Sequence, residues 1–155
     1  MAPADRLRRL RALAVIPVYG GSEMTHDLVG DLGRERAFCD VVVVDNRGDY
    51  TPAGHEMVLT PGRNLGWAGG INFGSQQAGE GYGHLIWLNN DTRLSRHFVR
   101  SLVEAGVATR AGVVAPFYDC HWLHQRDLSG PVEAYRPVRK HYRAPFVDGT
   151  CMLVP

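Results

Sequence analysis

Residues 84–94 read HLIWLNNDTRL, and this stretch joins the two patterns that decide the fold. The apolar run Leu85–Leu88 is typical of a strand buried on both faces, as strands of parallel sheets are. Three polar residues, Asn89, Asn90 and Asp91, follow it at once. In open α/β sheets, ligands bind just beyond the carboxyl ends of such strands. A carboxylate at that place can hold a cation, or it can simply cap the next helix.

Strand and helix patterns alternate along most of the chain. Short apolar runs predict strands, and segments with helical spacing behind a capping residue predict helices. The predicted strands are Ala12–Val18, Val41–Val44, Glu56–Thr60, His84–Leu88, Gly112–Pro116 and Phe146–Val154. The predicted helices are Ser22–Glu35, with Ser22 as N-cap, Gly69–Ala78, and Ser95–Thr109, with Ser95 as N-cap. This alternation predicts a layered α/β fold with a mostly parallel central sheet flanked by helices.

Length and composition indicate a single globular domain over residues 1–155. The hydrophobic share is 45%, the charged share is 21% and the net charge is +1, which gives no case for nucleic acid or a membrane as partner. No run approaches the roughly 18 to 20 apolar residues that cross a bilayer. The cysteines are odd in number and lack metal-ligand spacing, which fits a reducing cytoplasm. Residues 118–145 break the pattern, and we interpret them as an irregular insertion.

The segment PGRNLGWAGGINFG, residues 61–74, is the glycine-rich part of the chain. The pair Gly69-Gly70 lets backbone N–H groups approach a phosphate, and the helix that follows offers its positive end. Asn64 and Asn72 can add amide hydrogen bonds. The spacing matches neither a Walker loop nor a dinucleotide fingerprint. A glycine-rich connection with tight helix packing is the alternative interpretation.

Two strand ends place a carboxylate where a ligand would lie. The valine strand ends in Asp45, which can accept hydrogen bonds from a nucleobase or a ribose hydroxyl. Asp45-Asn46 before Arg47 and Gly48 is also good turn chemistry, so a turn role is the alternative. Asp91 is a hard oxygen ligand of the kind that Mg²⁺ and Mn²⁺ prefer beside substrate phosphates. Its alternative role is to terminate the strand.

Aromatic, histidine and basic residues add weaker signals. Trp67 and Trp87 are expected in the core, and Trp122 is the better candidate for stacking on a sugar. His121 and His124 have the spacing of a helical metal pair, but solvated or packing roles are the favoured interpretation. A solvated loop face is favoured for the basic residues Arg136, Arg139, Lys140 and Arg143.

Taken in order, these segments resemble one family. A PVYG strand end, a VVVVDN strand end, an NLGWAGGINFG loop and helix and an LNNDT strand end follow one another. The combination resembles the family-two inverting glycosyltransferases with the GT-A fold, most closely their rhamnosyltransferase-like branch. The resemblance covers residues 13–155. It implies a Rossmann-like layered fold that is C-terminally incomplete.

The resemblance also implies a site for a nucleotide-diphosphate sugar, UDP- or dTDP-linked, with Mn²⁺ or Mg²⁺. Pro17, Val18 and Tyr19 would lie against the nucleotide base, and Asp45 would bond to it. The segment that covers the ribose and diphosphate would comprise Asn64, Gly66, Ala68, Gly69 and Asn72. Asn89, Asn90 and Asp91 stand where the family has its DxD-type motif, with Asp91 as the metal ligand. Residues 118–145 would lie on the acceptor side.

The resemblance leaves the catalytic base open. In the family, an acidic residue beyond the strand that FVDGTCMLV matches deprotonates the acceptor hydroxyl, so the base is expected beyond Pro155. Asp148 is the only carboxylate near the expected acceptor side, and its match is to a structural turn. A fragment, a naturally short chain and a second chain that completes the site are three explanations for the missing region.

Two functions of different classes follow. One is a metal-dependent inverting glycosyltransferase domain, cytoplasmic or peripheral at the inner membrane face, acting in cell-wall or polysaccharide biosynthesis. Its acceptor would be a glycan, a lipid-linked molecule or a small molecule. The alternative is a non-catalytic module that binds a nucleotide-sugar or docks onto a full-length transferase. The retained NND motif favours the first function, and the absent base region favours the second.

Overall fold

Strands and helices alternate along the chain as the sequence predicts. A computed structural model describes residues 10–77, 81–116, 147 and 149–155. In chain order the elements are β1 (Ala12–Val18), α1 (Ser22–Gly33), β2 (Cys39–Asp45), β3 (Met57–Leu59), α2 (Gly66–Ser75), β4 (His84–Leu88), α3 (Phe98–Thr109) and β5 (Cys151–Val154). The predicted insertion at 118–145, with Trp122 and both HWLH histidines, lies outside the described residues, as does Asp148.

The strands form one sheet in the order β3-β2-β1-β4-β5. β1 pairs in parallel with β2 from Ala12 to Val18 and with β4 on its other side, and β3 is parallel to β2. β5 runs antiparallel to β4. The prediction of a mostly parallel sheet is confirmed. The carboxyl ends of β1, β2, β3 and β4 therefore meet at one edge of the sheet, which we call the carboxyl edge.

Helices cover both faces of the sheet, as strands that are apolar on both faces require. All residues of β1 are buried. On one face, β1 residues pack with Leu28 and Leu32 of α1 and with Val99 of α3. On the other face, Val15 packs with Ile71 of α2. The predicted layered fold is confirmed. None of the helices within the described ranges is long and apolar enough to span a bilayer.

β1 and β4 have the predicted bounds, but the ends of several other elements differ from the prediction. β2 extends on both sides of the valine run, and α2 starts at Gly66 rather than Gly69. The predicted strand at Gly112–Pro116 is only an isolated bridge between Val114 and Leu153. β5 is shorter than predicted, although residues 146 and 148 of that segment lie outside the described ranges.

Both serine N-caps predicted from the sequence are wrong. α1 begins after Gly21, whose φ of 68° is a left-handed conformation, and no side chain of the described residues caps this helix end. α3 begins after His97 rather than at Ser95. The carboxylate of Glu35 accepts hydrogen bonds from the N–H groups of Val99 (3.2 Å) and Arg100 (3.0 Å). A distant carboxylate thus satisfies the donors that a local serine was expected to satisfy.

Candidate functional site at the carboxyl edge

Helix α2 lies unusually close to the sheet because two of its glycines face the strands. A Cβ atom on Gly74 would be 2.4 Å from Val15 Cγ1, and one on Gly70 would be 2.9 Å from Pro17 Cβ. Tight helix packing, the alternative interpretation of the glycine-rich segment, is confirmed for these two glycines. Gly74 lies over the middle of β1 and Gly70 over its end, so the N-terminus of α2 points to the carboxyl edge.

Asparagine side chains shape the start of α2. Asn64 Oδ1 accepts a hydrogen bond from the Gly66 N–H (2.8 Å), and Gly66 has a φ of 67°, which favours glycine. Asn46, buried at the end of β2, accepts a hydrogen bond from the Leu65 N–H at 2.9 Å. The first N–H groups of a helix lack intrahelical acceptors and carry partial positive charge. This end of α2 therefore offers an anion-binding arrangement at the carboxyl edge.

Asp45 is used mainly by its own loop. Its side chain is buried, and Oδ1 accepts hydrogen bonds from the N–H groups of Arg47 (3.1 Å) and Gly48 (2.8 Å). Oδ2 accepts one from the Tyr50 N–H at 2.9 Å. The turn interpretation of Asp45 is confirmed. An ionised carboxylate has about four lone-pair positions, so one remains, and a bond to a nucleobase stays a prediction.

Tyr19 exposes an aromatic ring at the end of β1. Its side chain is 61% exposed, whereas Pro17 and Val18 are buried. The Arg47 guanidinium lies 5.9 Å from the centre of the ring, within reach of a cation–π contact, and also pairs with Asp49. Of the three residues expected against a nucleotide base, Tyr19 alone presents its side chain to solvent.

The polar turn after β4 is held in place on several sides. The Asn89 N–H donates to the Thr150 carbonyl (2.9 Å), and Asn90 Nδ2 donates to Thr25 Oγ1 of α1 (3.3 Å). Asp91 is exposed, and its carboxylate makes no hydrogen bond or ion pair with any described residue. The turn therefore fixes its asparagines and leaves one carboxylate open at the carboxyl edge.

A buried carboxylate on α1 anchors the residues just after Asp91. Asp31 accepts hydrogen bonds from Arg93 Nε (2.9 Å), from Arg93 Nη2 (3.1 Å) and from the Leu94 N–H (2.9 Å). Burial raises the pKa of Asp31, but these hydrogen bonds and the charges of Arg93 and Arg34 outweigh it, so the pKa is lowered. Sequence reasoning missed this anchor, because its members lie far apart along the chain.

The residues at the carboxyl edge can hold a divalent cation only together with a bound ligand that also coordinates the cation. Among the described residues, no group of three or more His, Cys, Asp or Glu side chains lies close enough to hold a metal ion. Mg²⁺ usually keeps several waters and is held by one or two carboxylates together with substrate phosphates. Asp91, as a single open carboxylate, suits that arrangement.

Other predicted positions lie at different distances from this edge. Ala68 and Trp67 are exposed in the first turn of α2, so the expectation that Trp67 is a core residue is wrong. Trp87 packs against the α2 side of the sheet, as expected. Asn72 is exposed farther along α2, and Gly69 packs against Leu65.

Two surface depressions lie at the opposite edge of the sheet from the proposed site. One includes His84 and the other includes Arg11.

Comparisons with known proteins show the fold of the chain but not its family. No family model matches the chain. The uncharacterized proteins Rv1525 of Mycobacterium tuberculosis H37Rv and Mb1552 of Mycobacterium bovis are each 44% identical over 144 residues, which cover 92% of this chain. These residues are 54% of each relative, so the chain spans about half the length of the curated relatives it matches.

Among solved structures, the chain is similar to Staphylococcus aureus TarS 1–349, from a staphylococcal glycosyltransferase. The TM-score is 0.56 and the sequence identity is 17%, with 66% of this chain and 34% of the TarS chain covered. The chain therefore has a glycosyltransferase-like fold.

Proposed function

We propose that this chain is the donor-binding domain of a metal-dependent inverting glycosyltransferase. Its donor would be a nucleotide-diphosphate sugar of the UDP or dTDP type. The observation that carries the proposal is the open carboxylate of Asp91 at the carboxyl edge, in a turn that is held by the Asn89 N–H and by the Asn90 side chain. The N-terminus of α2 meets the same edge, within a glycosyltransferase-like fold.

The proposed site assigns groups at this edge to the base, to the diphosphate and to the cation that the diphosphate shares. The nucleotide base would lie beside the exposed ring of Tyr19 and donate a hydrogen bond to the Asp45 carboxylate. The diphosphate would lie near the start of α2, where Gly66 allows close backbone approach. Asp91 would bind a Mn²⁺ or Mg²⁺ ion that the diphosphate shares. The segment proposed to cover the ribose and the diphosphate also includes Asn64, Ala68, Gly69 and Asn72.

Transfer itself needs one further group. The acceptor oxygen attacks the anomeric carbon, the bond to the diphosphate breaks with inversion, and a base takes the hydroxyl proton. When bound, the cation neutralises negative charge on the departing diphosphate. The base is expected beyond Pro155, and Asp148 is the weaker candidate. We therefore propose donor binding for these 155 residues; sugar transfer depends in addition on the group that supplies the base.

Calorimetric titration tests donor binding directly. The chain would be titrated with UDP, dTDP and GDP, each with and without Mn²⁺, alongside Asp91→Ala and the control Glu104→Ala. Glu104 is an exposed carboxylate on α3, paired only with Arg100 within the described residues. We expect one nucleotide to bind more tightly with Mn²⁺, and we expect Asp91→Ala alone to lose that gain.

Three results would contradict the proposal. The wild-type chain could bind none of the nucleotides, it could bind them equally with and without Mn²⁺, or both variants could lose the same affinity. Donor binding without sugar transfer by these 155 residues is expected both from the proposal and from the alternative of a non-catalytic nucleotide-sugar-binding module. The two are separated by whether transfer occurs once the group that supplies the base is present.

A further inference from the structure

Helix α1 contacts the polar turn after β4 at several positions, although the paired residues lie 62 to 66 positions apart in sequence. Thr25 accepts the hydrogen bond from Asn90. The Arg93 guanidinium donates hydrogen bonds to Asp31 and to Asp27. The bond to Asp27 comes from Nη1 and is 3.1 Å long. Residues on both sides of Asp91 are thereby tied to one rigid helix.

The contact between Arg93 and Asp31 is the strongest of these ties. Two guanidinium nitrogens contact the two carboxylate oxygens at 2.9 and 3.1 Å, a bidentate pairing that fixes orientation as well as distance. The Asp31 side chain is 2% exposed, so water screens the pairing only from the Arg93 side. The Leu94 N–H binds the same carboxylate, so side chain and backbone are held together.

An exposed carboxylate on a loosely held turn must be ordered before it can bind a cation, and that ordering costs free energy. A turn that other contacts already fix avoids this cost. Residues that support a metal ligand without touching the metal commonly act in this way. Among the described residues the Asp91 carboxylate makes no hydrogen bond or ion pair that would fix it, so its placement depends on the hydrogen bonds of its neighbours.

We propose that Arg93 is a positioning residue for Asp91: by its bidentate pairing with Asp31 it holds the turn in the place where the Asp91 carboxylate binds the shared cation. This inference rests on the proposed function. It assigns to α1 a part in the donor site that the sequence did not indicate.

Replacement of Arg93 tests the inference without leaving a buried charge alone. Arg34 Nη2 also pairs with Asp31, at 2.8 Å, so Asp31 keeps a cationic partner in Arg93→Gln. Arg100→Gln is the matched control, because Arg100 is similarly exposed (57% against 59%) and pairs with Glu104 on α3. Arg93→Lys keeps the charge but loses the planar fork.

The measured quantity is the ratio of the nucleotide Kd without Mn²⁺ to the Kd with Mn²⁺, by calorimetry. We expect Arg93→Gln to reduce this ratio by about tenfold, which is the lower end of the usual loss of metal affinity when a supporting partner is removed. The Kd without Mn²⁺ should stay unchanged. Arg93→Lys should lie between wild type and Arg93→Gln, and Arg100→Gln should match wild type.

The outcomes separate the inference from the proposed function. If Arg93→Gln keeps the wild-type ratio, or if it weakens binding equally with and without Mn²⁺, Arg93 is at most structural and the inference is overturned, while the proposed function stands. If the wild-type chain shows no Mn²⁺-dependent gain, the proposed function fails and the inference fails with it.

Discussion

Gly74 shows how a single missing side chain sets the distance between a helix and the sheet. A Cβ at this position would lie 2.4 Å from Val15 Cγ1 and 2.9 Å from Val44 Cγ2, both on buried strands. Because those strands cannot easily move, we expect Gly74→Ala to lower the free energy of unfolding by about 1 to 3 kcal/mol, as overpacking does. Urea unfolding measures the change.

Gly30→Ala is the matched control for that substitution. Gly30 is exposed on α1, and a Cβ there would meet no atom within 4 Å. Alanine is favoured over glycine inside a helix by roughly 0.5 to 1 kcal/mol, so this variant should be slightly more stable than wild type. A similar loss of stability in both variants would contradict the close-packing explanation of Gly74.

At the residue scale, the sequence predicted which polar residues lie at the ends of the strands, but not which groups they contact. Asp45 and Asp91 were chosen as candidates because each lies at or shortly after the end of an apolar strand. The parts played by Asn46 and Arg93 were missed, because Asn46 binds the backbone of Leu65 and Arg93 binds Asp31. Such pairings depend on how elements pack, and no local pattern contains that information.

Secondary-structure elements were predicted more reliably in their existence than in their ends. Apolar runs of strand length reflect burial on both faces of the sheet, which is why β1 and β4 were predicted with their observed bounds. Helix ends depend on which group satisfies the first N–H donors. For α3 that group is Glu35, at the end of the α1 region, so Ser95 was not needed as a cap.

The Glu35 cap leads to a prediction at the element scale. Glu35→Ala would leave the N–H groups of Val99 and Arg100 without their acceptor, and loss of a capping acceptor costs about 1 kcal/mol. We expect lower stability in urea and faster amide hydrogen exchange in the first turn of α3, with β1 unaffected. Glu104→Ala removes an exposed, water-screened ion pair on the same helix and should change neither quantity much. Exchange that stays slow in Glu35→Ala would show that another group caps α3.

At the scale of the whole molecule, the site follows from the direction of the strands. Because β1 to β4 are parallel, Tyr19, Asn46 and Asp91 reach the same edge although they are distant in sequence. The alternation of strands and helices was sufficient to predict this layout. The strand order and the antiparallel β5 were not predicted, because they depend on which edges of neighbouring strands remain open for pairing.

The buried carboxylates also predict how the stability of the whole molecule depends on pH. The pKa values of Asp31 and Glu56 are both lowered in the folded protein: burial raises each of them, but hydrogen bonds to the carboxylates outweigh it. Glu56 accepts bonds from the Ala53 N–H at 2.7 Å and the Tyr50 hydroxyl at 2.8 Å. The folded state therefore binds fewer protons than the unfolded state near pH 4.

The sign of the effect follows from that difference in bound protons. The stabilising contribution is complete above the pKa values of the unfolded chain, about 4, and is lost as pH falls through the lower folded-state values. Urea unfolding between pH 7 and pH 3 should show stability falling on the acid side. Asp31→Asn and Glu56→Gln should each be less stable than wild type at pH 7 and should lose less stability on acidification. The control Asp49→Asn alters an exposed ion pair and should keep the wild-type dependence of stability on pH. If both buried-site variants kept the wild-type slope, other groups would have to account for acid unfolding, and the anchor at Asp31 would not depend on its charge.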